Sequence, residues 1–249
     1  MKIVSVIMPY FKKKKFFKKS YYSVLKQKIK NIEIVIIYDD IDLSDLVYLK
    51  KIINNRKNTK LIQNKKNYGV AISRNIGIKN SVGKYLAFLD CDDIWSKNKL
   101  FEQIQYMNIN NLDFTHTSYK VISEKGKYLY NFNVEPLLSY KELLKSCDIG
   151  LSTVVIRSRI LNSFRFKKIK TKEDYLLWLE LSKKGYKITG INKYLTAWRK
   201  VKNSLSSDML QKIKDSFRIY YFYEKQNLLK AILSVFVLSF FALKKKCKY

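Results

Sequence analysis

"KYLAFLDCDDIW", Lys84 to Trp95, decides how the rest of the chain is read. Tyr85 to Leu89 are almost wholly apolar, and the run ends in Asp90, Asp92 and Asp93. A short apolar run closed by polar residues fits a strand buried on both faces. Carboxylates just past its end are costly beside a core unless a partner or ligand meets them. The layout recurs upstream. "IEIVIIY" (Ile32 to Tyr38) runs into Asp39 and Asp40, "IVSVIM" (Ile3 to Met8) is closed by Pro9, and "KLIQN" (Lys60 to Asn64) is a further strand. Helical spacing fills the gaps. About Phe16 to Lys28, an apolar stripe holds Phe17, Tyr21, Val24 and Leu25. A second helix spans Ser44 to Asn54 with Ser44 as its N-cap, and a third is "GVAISRNIGIKNS" from Gly69. Strand alternating with helix predicts an α/β fold with parallel strands. Ligands of such sheets bind beyond the carboxyl ends of the strands, so the five aspartates should gather at one rim.

With 249 residues, 47% of them hydrophobic, the chain can form one large domain with or without an appendage, and wholesale disorder is excluded. Seven Gly and two Pro argue against a loop-rich or fibrous class. The net charge of +30 has two readings: compositional drift, or attraction to an anionic partner such as nucleic acid, lipid or a diphosphate. Cys91, Cys147 and Cys247 lie far apart, which suits free thiols in a reducing compartment rather than disulfides or zinc. The single histidine, His116, excludes a histidine metal cluster and is expected on a strand, solvated or hydrogen-bonded. The chain opens on a strand-like run without the features of a signal peptide, so it is expected to stay where it is made.

After Trp95 come a helix from about Lys97 to Ile109, strand-like "FTHTSYKVI" and "KYLYNF", a short helix near Ser139, and strand "STVVIR". Helix "KEDYLLWLELSKKG" follows, closed by Gly185, then "YKITGI" and "YLTAWR" as two pieces. From Asp208 to Gln226 an apolar stripe carries Leu210, Ile213, Phe217, Tyr220 and Tyr221; Leu228 to Leu243 is nearly all apolar and leads into "KKKCK". As a helix, Ala231 to Leu243 rises about 20 Å, short of the ~30 Å hydrocarbon core. Two readings remain for this tail: an in-plane anchor on an anionic leaflet, or a helix packed on the catalytic body.

In an extended segment Asp90 and Asp92 point one way and Asp93 the other. Two carboxylates on one face repel unless a cation lies between them, and hard oxygen ligands suit Mg²⁺ or Mn²⁺. Helix capping by Asp93 or Ser96 accounts for one of the acids only.

Five stretches occur in order: "VSVIMPYF", "EIVIIYDD", "GVAISRNIGI", "GKYLAFLDCDDIW" and "KEDYLLWLEL". Together, over about Ile3 to Ser206, they resemble the family 2 glycosyltransferases. The resemblance implies a GT-A fold: a mostly parallel, Rossmann-like sheet flanked by helices, here with a C-terminal helical tail. It implies a nucleotide-sugar half at 1–95, an acceptor-binding and catalytic half of the same domain at 96–207, and a tail at 208–249 expected to associate with membrane. Pro9 and Phe11 would line the nucleotide pocket, Phe11 and Lys12 standing where the family usually has Tyr and Asn. Asp39 and Asp40, the latter preferred, would contact base and ribose. Arg74 would face the nucleotide, Asp90 would bind ribose or metal, and Asp92 would ligate Mn²⁺ or Mg²⁺. Asp174 would be the general base. "AWRKVKNSLSS" (Ala197 to Ser207) resembles a closing loop; the family's histidine is missing, and Arg199 or Lys202 would serve the diphosphate instead.

The function so implied is a metal-dependent, inverting hexosyltransferase. It would use a UDP-linked donor, with a lipid-linked or oligosaccharide acceptor of surface-glycan assembly, at the inner face of the plasma membrane. The alternatives are a degenerate member that binds without turnover, a nucleotidyltransferase lacking its Gly-rich loop, and a basic nucleic-acid binder. The carboxylate rim argues against nucleic acid, since it repels phosphates unless a metal intervenes.

Overall fold

The computed structural model describes residues 3–202 and 208–248, with side chains as far as 244. Strands β1 (Val4–Tyr10), β2 (Ile32–Tyr38), β3 (Thr59–Gln63) and β4 (Tyr85–Phe88) pair in parallel in the order β3-β2-β1-β4. The sheet continues through β9 (Val155–Arg157), β6 (Phe114–Ile122), β10 (Ile188–Arg199) and β5 (Ile94–Trp95). β9 runs antiparallel to both β4 and β6, whereas β6 and β10 are parallel. β7 (Tyr128–Phe132) forms a hairpin on β6, and β8 (Leu137–Leu138) pairs with β10.

Side chains alternate along β4. Tyr85 and Ala87 enter one core, Leu86 and Phe88 the other. Both faces are dry, which is why the strand reads as an unbroken apolar run. On one face pack α1 (Lys14–Leu25), α2 (Ser44–Ile53) and α4 (Lys99–Ile109). On the other pack α3 (Val70–Lys79), α5 (Tyr140–Leu143) and α6 (Glu173–Lys183). α3 sits close on β1 because Gly77 faces Ile7, where any Cβ would overlap the isoleucine side chain. Trp178 of α6 is fully buried, its ring 4.8 Å from Phe114. Removing such a side chain costs about 3–5 kcal/mol, so α6 is fixed by its core face while its first turn reaches the rim.

Several local expectations change. Ser44 opens α2 without capping it; its amide donates to Asp42 Oδ1 at 2.9 Å. Neither Asp93 nor Ser96 caps α4. Asp93 is turned instead to the Arg199 amide at 2.8 Å. Ser139 does cap α5, in a reciprocal box with Glu142. "YKITGI" and "YLTAWR" form a single strand, β10, whose pairing with β6 shifts between Ile191 and Thr196. His116 is on a strand, β6, but is neither solvated nor hydrogen-bonded. It is wholly buried, neither ring nitrogen has a partner among the described residues, and burial pushes its pKa down to about 3.

The tail packs on the body, as the second of the two readings expects. α7 (Met209–Arg218), a wide turn at Ile219–Tyr223 and α8 (Leu228–Lys248) pack on the body through Ile219, Tyr220, Ala231 and Leu238. Buried Asp215 accepts from the Thr171 amide at 2.8 Å and its hydroxyl at 2.9 Å. The outer face of α8 is apolar as well, with Leu229 80%, Phe236 69% and Phe240 62% exposed. No helix of the described residues is long and apolar enough to cross a membrane.

Candidate active site

The rim at the carboxyl ends of β1, β2 and β4 gathers most of the expected residues. Leaving β4, the chain does not stay extended. The Asp93 amide donates to the Asp90 carbonyl at 3.0 Å, so Asp90 to Asp93 form a tight turn. The alternating orientation expected of a strand therefore does not apply, and each carboxylate is held by its own partner. Asp90 accepts from Arg74 Nη2 at 2.8 Å. Asp92 Oδ2 lies 2.5 Å from Lys13 Nζ. Asp93 takes the Arg199 amide. The turn is anchored beneath by Ser152, whose Oγ accepts from the Asp90 amide at 3.1 Å.

Burial raises the Asp92 carboxyl, with Lys13 opposing and the Asp90 charge adding to the rise. Burial also lifts Asp93 well above the usual carboxylate range, and the charges of Asp92 and Asp90 lift it further. The turn thus packs three carboxyls together, two of them already met by cations, Asp90 by Arg74 and Asp92 by Lys13.

Arg74 is only 4% exposed and does not face an open cleft. Its guanidinium bridges Asp90 and Glu173, and lies 5.6 Å from the Phe166 ring. A buried guanidinium needs such partners, and through them Arg74 joins α3, the acidic turn and α6. Glu173 is buried and is pushed up to about 7 by that burial, against the pull of Arg74. Asp174 is half-buried and takes the Tyr175 amide at 2.7 Å. Burial raises its carboxyl, with Arg74 opposing. Among the described residues no cation sits within ion-pair distance of Asp174, which leaves it the least encumbered acid near the turn.

Asp39 and Asp40 are equally buried and differently used. Asp39 accepts from Asn64 Nδ2 at 2.7 Å, Tyr68 N at 2.8 Å and Gly69 N at 2.9 Å. Gly69, at φ +87°, precedes α3 in a conformation that glycine adopts without strain. Asp39 therefore builds the loop into α3. Among the described residues Asp40 receives only the Asp42 amide, at 3.2 Å. Pro9 lies within β1, next to buried Tyr10, whose ring stacks on Tyr38 at 5.4 Å and whose hydroxyl donates to Asp45 at 2.6 Å. Phe11, just past β1, is 42% exposed, with Lys12 Nζ 5.3 Å from its ring centre.

Arg199 is engaged with main-chain carbonyls through two of its three guanidinium nitrogens. Its Nε donates to the Asp92 carbonyl at 2.8 Å, and its Nη1 to the carbonyls of Ser123 and Glu124. It ties the end of β10 to the turn. Lys202 is exposed beyond it, and the remainder of the expected closing loop, 203–207, lies outside the described residues. Sequence reasoning missed Lys13, Asn64 and Asp215. Lys13 stands among four consecutive lysines, and no pattern singles it out.

Among the described residues no group of three or more His, Cys, Asp or Glu is placed to hold a metal by itself. Mg²⁺-type sites, however, need only one or two carboxylates, completed by water and substrate phosphates. Asp92 and Asp90 supply such oxygens, and the Lys13 ammonium stands on Asp92 as a cation would. The donor set fits a divalent ion shared with a diphosphate.

The profile described as "Glycosyl transferase family 2" matches residues 5–169. The chain is 36% identical over 214 residues, 85% of its length and 83% of the relative's, to the Escherichia coli UDP-Glc:alpha-D-GlcNAc-diphosphoundecaprenol beta-1,3-glucosyltransferase WfgD. It is 38% identical, over 79% of its length, to an uncharacterized glycosyltransferase of Rickettsia felis, of which it spans 33%. In fold it resembles Staphylococcus aureus TarS bound to UDP-GlcNAc, with TM-score 0.71, 21% identity, and coverage of 88% of this chain and 64% of that one. It also resembles the Pyrobaculum calidifontis mannosyltransferase PcManGT bound to GDP-Man and Mn²⁺, with TM-score 0.70, 10% identity, and coverage of 94% and 68%. A profile spanning most of the chain, on a fold that gathers the same motifs at one rim, settles the family: the chain belongs to glycosyl transferase family 2.

Proposed function

We propose that the protein transfers a sugar from a UDP-linked donor, with inversion, to a lipid-linked glycan precursor, with a divalent metal at the acidic turn. The observation that carries this reading is the Arg74 bridge. One guanidinium holds both Asp90 of the turn and Glu173, the neighbour of Asp174. The leaving-group end and the base end of the reaction therefore face one cleft.

The roles follow from what each side chain has left to give. Asp40, with one amide to satisfy it, and the exposed face of Phe11 bind ribose and base, while Asp39 shapes the loop. Asp92 with Asp90 holds Mn²⁺ or Mg²⁺, which when bound neutralises charge developing on the diphosphate. Asp174 accepts the proton of the acceptor hydroxyl as it attacks the anomeric carbon. Its raised pKa makes it a stronger base than an exposed aspartate. The neighbouring acids Asp90 and Glu173 are held by Arg74, so a single displacement without a covalent intermediate is the chemistry that fits. Exposed Lys202 stands where it can meet the donor from the closing loop. Residues 1–95 act as the donor half and 96–207 as the acceptor half.

WfgD carries a UDP-Glc donor and a lipid diphosphate acceptor in its name, and TarS is known with UDP-GlcNAc. Both support the donor, and WfgD the acceptor. The exposed apolar face of α8, with Lys230 beside it and basic residues at its end, fits a helix lying in the surface of an anionic membrane, at the inner leaflet where such acceptors are extended. The test is a panel of UDP-, GDP- and dTDP-sugars incubated with the intact chain and Mn²⁺. The expected result is hydrolysis or transfer with a UDP-sugar, slowed about 10²-fold or more in Asp174→Asn with donor binding retained. Turnover only with another nucleotide overturns the donor assignment, and an unimpaired Asp174→Asn overturns the base.

A further inference from the structure

The three carboxylates of the acidic turn have unlike partners. Arg74 on Asp90 is 4% exposed in its side chain and also holds Glu173, so it is locked. The Arg199 amide on Asp93 is main chain within β10. Lys13 on Asp92 is different. It comes from the segment after β1, 79 residues away in sequence, on a flexible stem with 26% of its side chain exposed. Its neighbours are engaged elsewhere, Lys14 with Asp45 at 3.4 Å and Lys15 with Glu124 at 2.7 Å. Of the three partners Lys13 is the one on a flexible side chain with access to solvent.

We propose that Lys13 is the resident counter-ion of the acidic turn and makes metal binding conditional on the donor's diphosphate. This rests on the reading of Asp92 as a metal ligand given above. An ammonium 2.5 Å from Asp92 Oδ2 occupies the approach that a divalent cation needs for the same oxygen. In the free protein the metal must evict Lys13 and leave its charge uncompensated beside a second cation. When a nucleoside diphosphate arrives with the metal, the evicted ammonium meets phosphate oxygens in the same cleft. Lys13 thereby passes from carboxylate to phosphate, and metal and nucleotide enter together. Lysine suits this handover because its ammonium is a compact point charge on a mobile stem, whereas a guanidinium makes planar, forked contacts.

The test measures free Mn²⁺ by electron paramagnetic resonance in titrations of the intact chain, with and without UDP, for the unmodified protein, Lys13→Met and Lys13→Arg. The unmodified protein should bind Mn²⁺ weakly alone and more tightly with UDP. Lys13→Met should bind Mn²⁺ alone about tenfold more tightly and gain less from UDP, a shift within the usual range of coupling between two ligands. Lys13→Arg, which keeps the charge but not the mobile point ammonium, should bind Mn²⁺ alone as weakly as the unmodified protein and gain less from UDP. Circular dichroism confirms that both variants are folded. If Lys13→Met binds Mn²⁺ alone no more tightly while UDP-dependent binding persists in the unmodified protein, the role of Lys13 is overturned and the metal site stands. If no form binds Mn²⁺ even with UDP, the metal reading fails and the Lys13 proposal with it.

Discussion

Glu173 and Asp174 are consecutive acids at a helix start, and the structure gives them unlike surroundings. The resemblance names the aspartate, but it does not say that Glu173 is buried against Arg74. That burial has a consequence in pH. The Glu173 carboxyl titrates at about 7 in the fold and near 4.5 in the unfolded chain. Between those values the folded protein keeps a proton that the unfolded chain has released. The contribution to stability is therefore full below pH ~4.5 and is lost as pH rises through ~7. In Glu173→Gln this dependence disappears. Urea unfolding across the window should show the variant gaining on the parent as pH rises, by on the order of 2 kcal/mol. A difference that is flat with pH contradicts the assignment. Asp39 and Asp40 make the same point about legibility. They are adjacent and alike in the sequence, and only Asn64, Tyr68 and Gly69, folded back from the next loop, decide which one is spent on structure.

At the scale of elements, strands and helices of the first half were readable because both core faces are apolar and each run is bounded by charge. β2 and β4, with α2 and α3, lie where period and bounding residues put them, whereas β1 runs on through Pro9 to Tyr10 and α1 spans Lys14–Leu25. The failures share a cause, since each depends on a partner distant in the chain. β10 is continuous because β6 pairs with both of its halves across the irregularity at Ile191 to Thr196. The acidic segment bends into a turn because Arg74, Lys13 and the Arg199 amide each draw one carboxylate their own way. Lys99 is wholly buried, its ammonium 4.3 Å from the Trp95 ring and 2.6 Å from Gln103 Oε1, where composition would put a lysine in water. Arg74 is the joint among these elements. Replacing it with Met leaves Asp90 and Glu173 without their shared cation, and the loss should be about 3 kcal/mol or more, as for one partner removed from a buried ion pair. A Met variant as stable as the parent in thermal unfolding contradicts this role.

Over the whole molecule, charge and apolar surface are distributed around one body. The tail is built into that body, because Asp215 holds Thr171 just ahead of α6 and Tyr220 shares a hydrogen bond with Tyr175 at 3.0 Å. Its sequence announced an apolar helix with basic flanks but could not divide its apolar residues between an inner and an outer face. The outer face belongs to Leu229, Phe236 and Phe240, and a variant with all three changed to Ser should stay folded and lose sedimentation with vesicles containing anionic lipid. Unchanged sedimentation contradicts the membrane role of this face. Most central is the claim that the acidic turn, a divalent ion and a uridine diphosphate form one site. Calorimetric titration of UDP with Mn²⁺ into the intact chain tests it most directly. Heat that requires both components and vanishes in a folded Asp92→Asn variant is the predicted result; undiminished binding in that variant, or no heat at all in the folded parent, contradicts it.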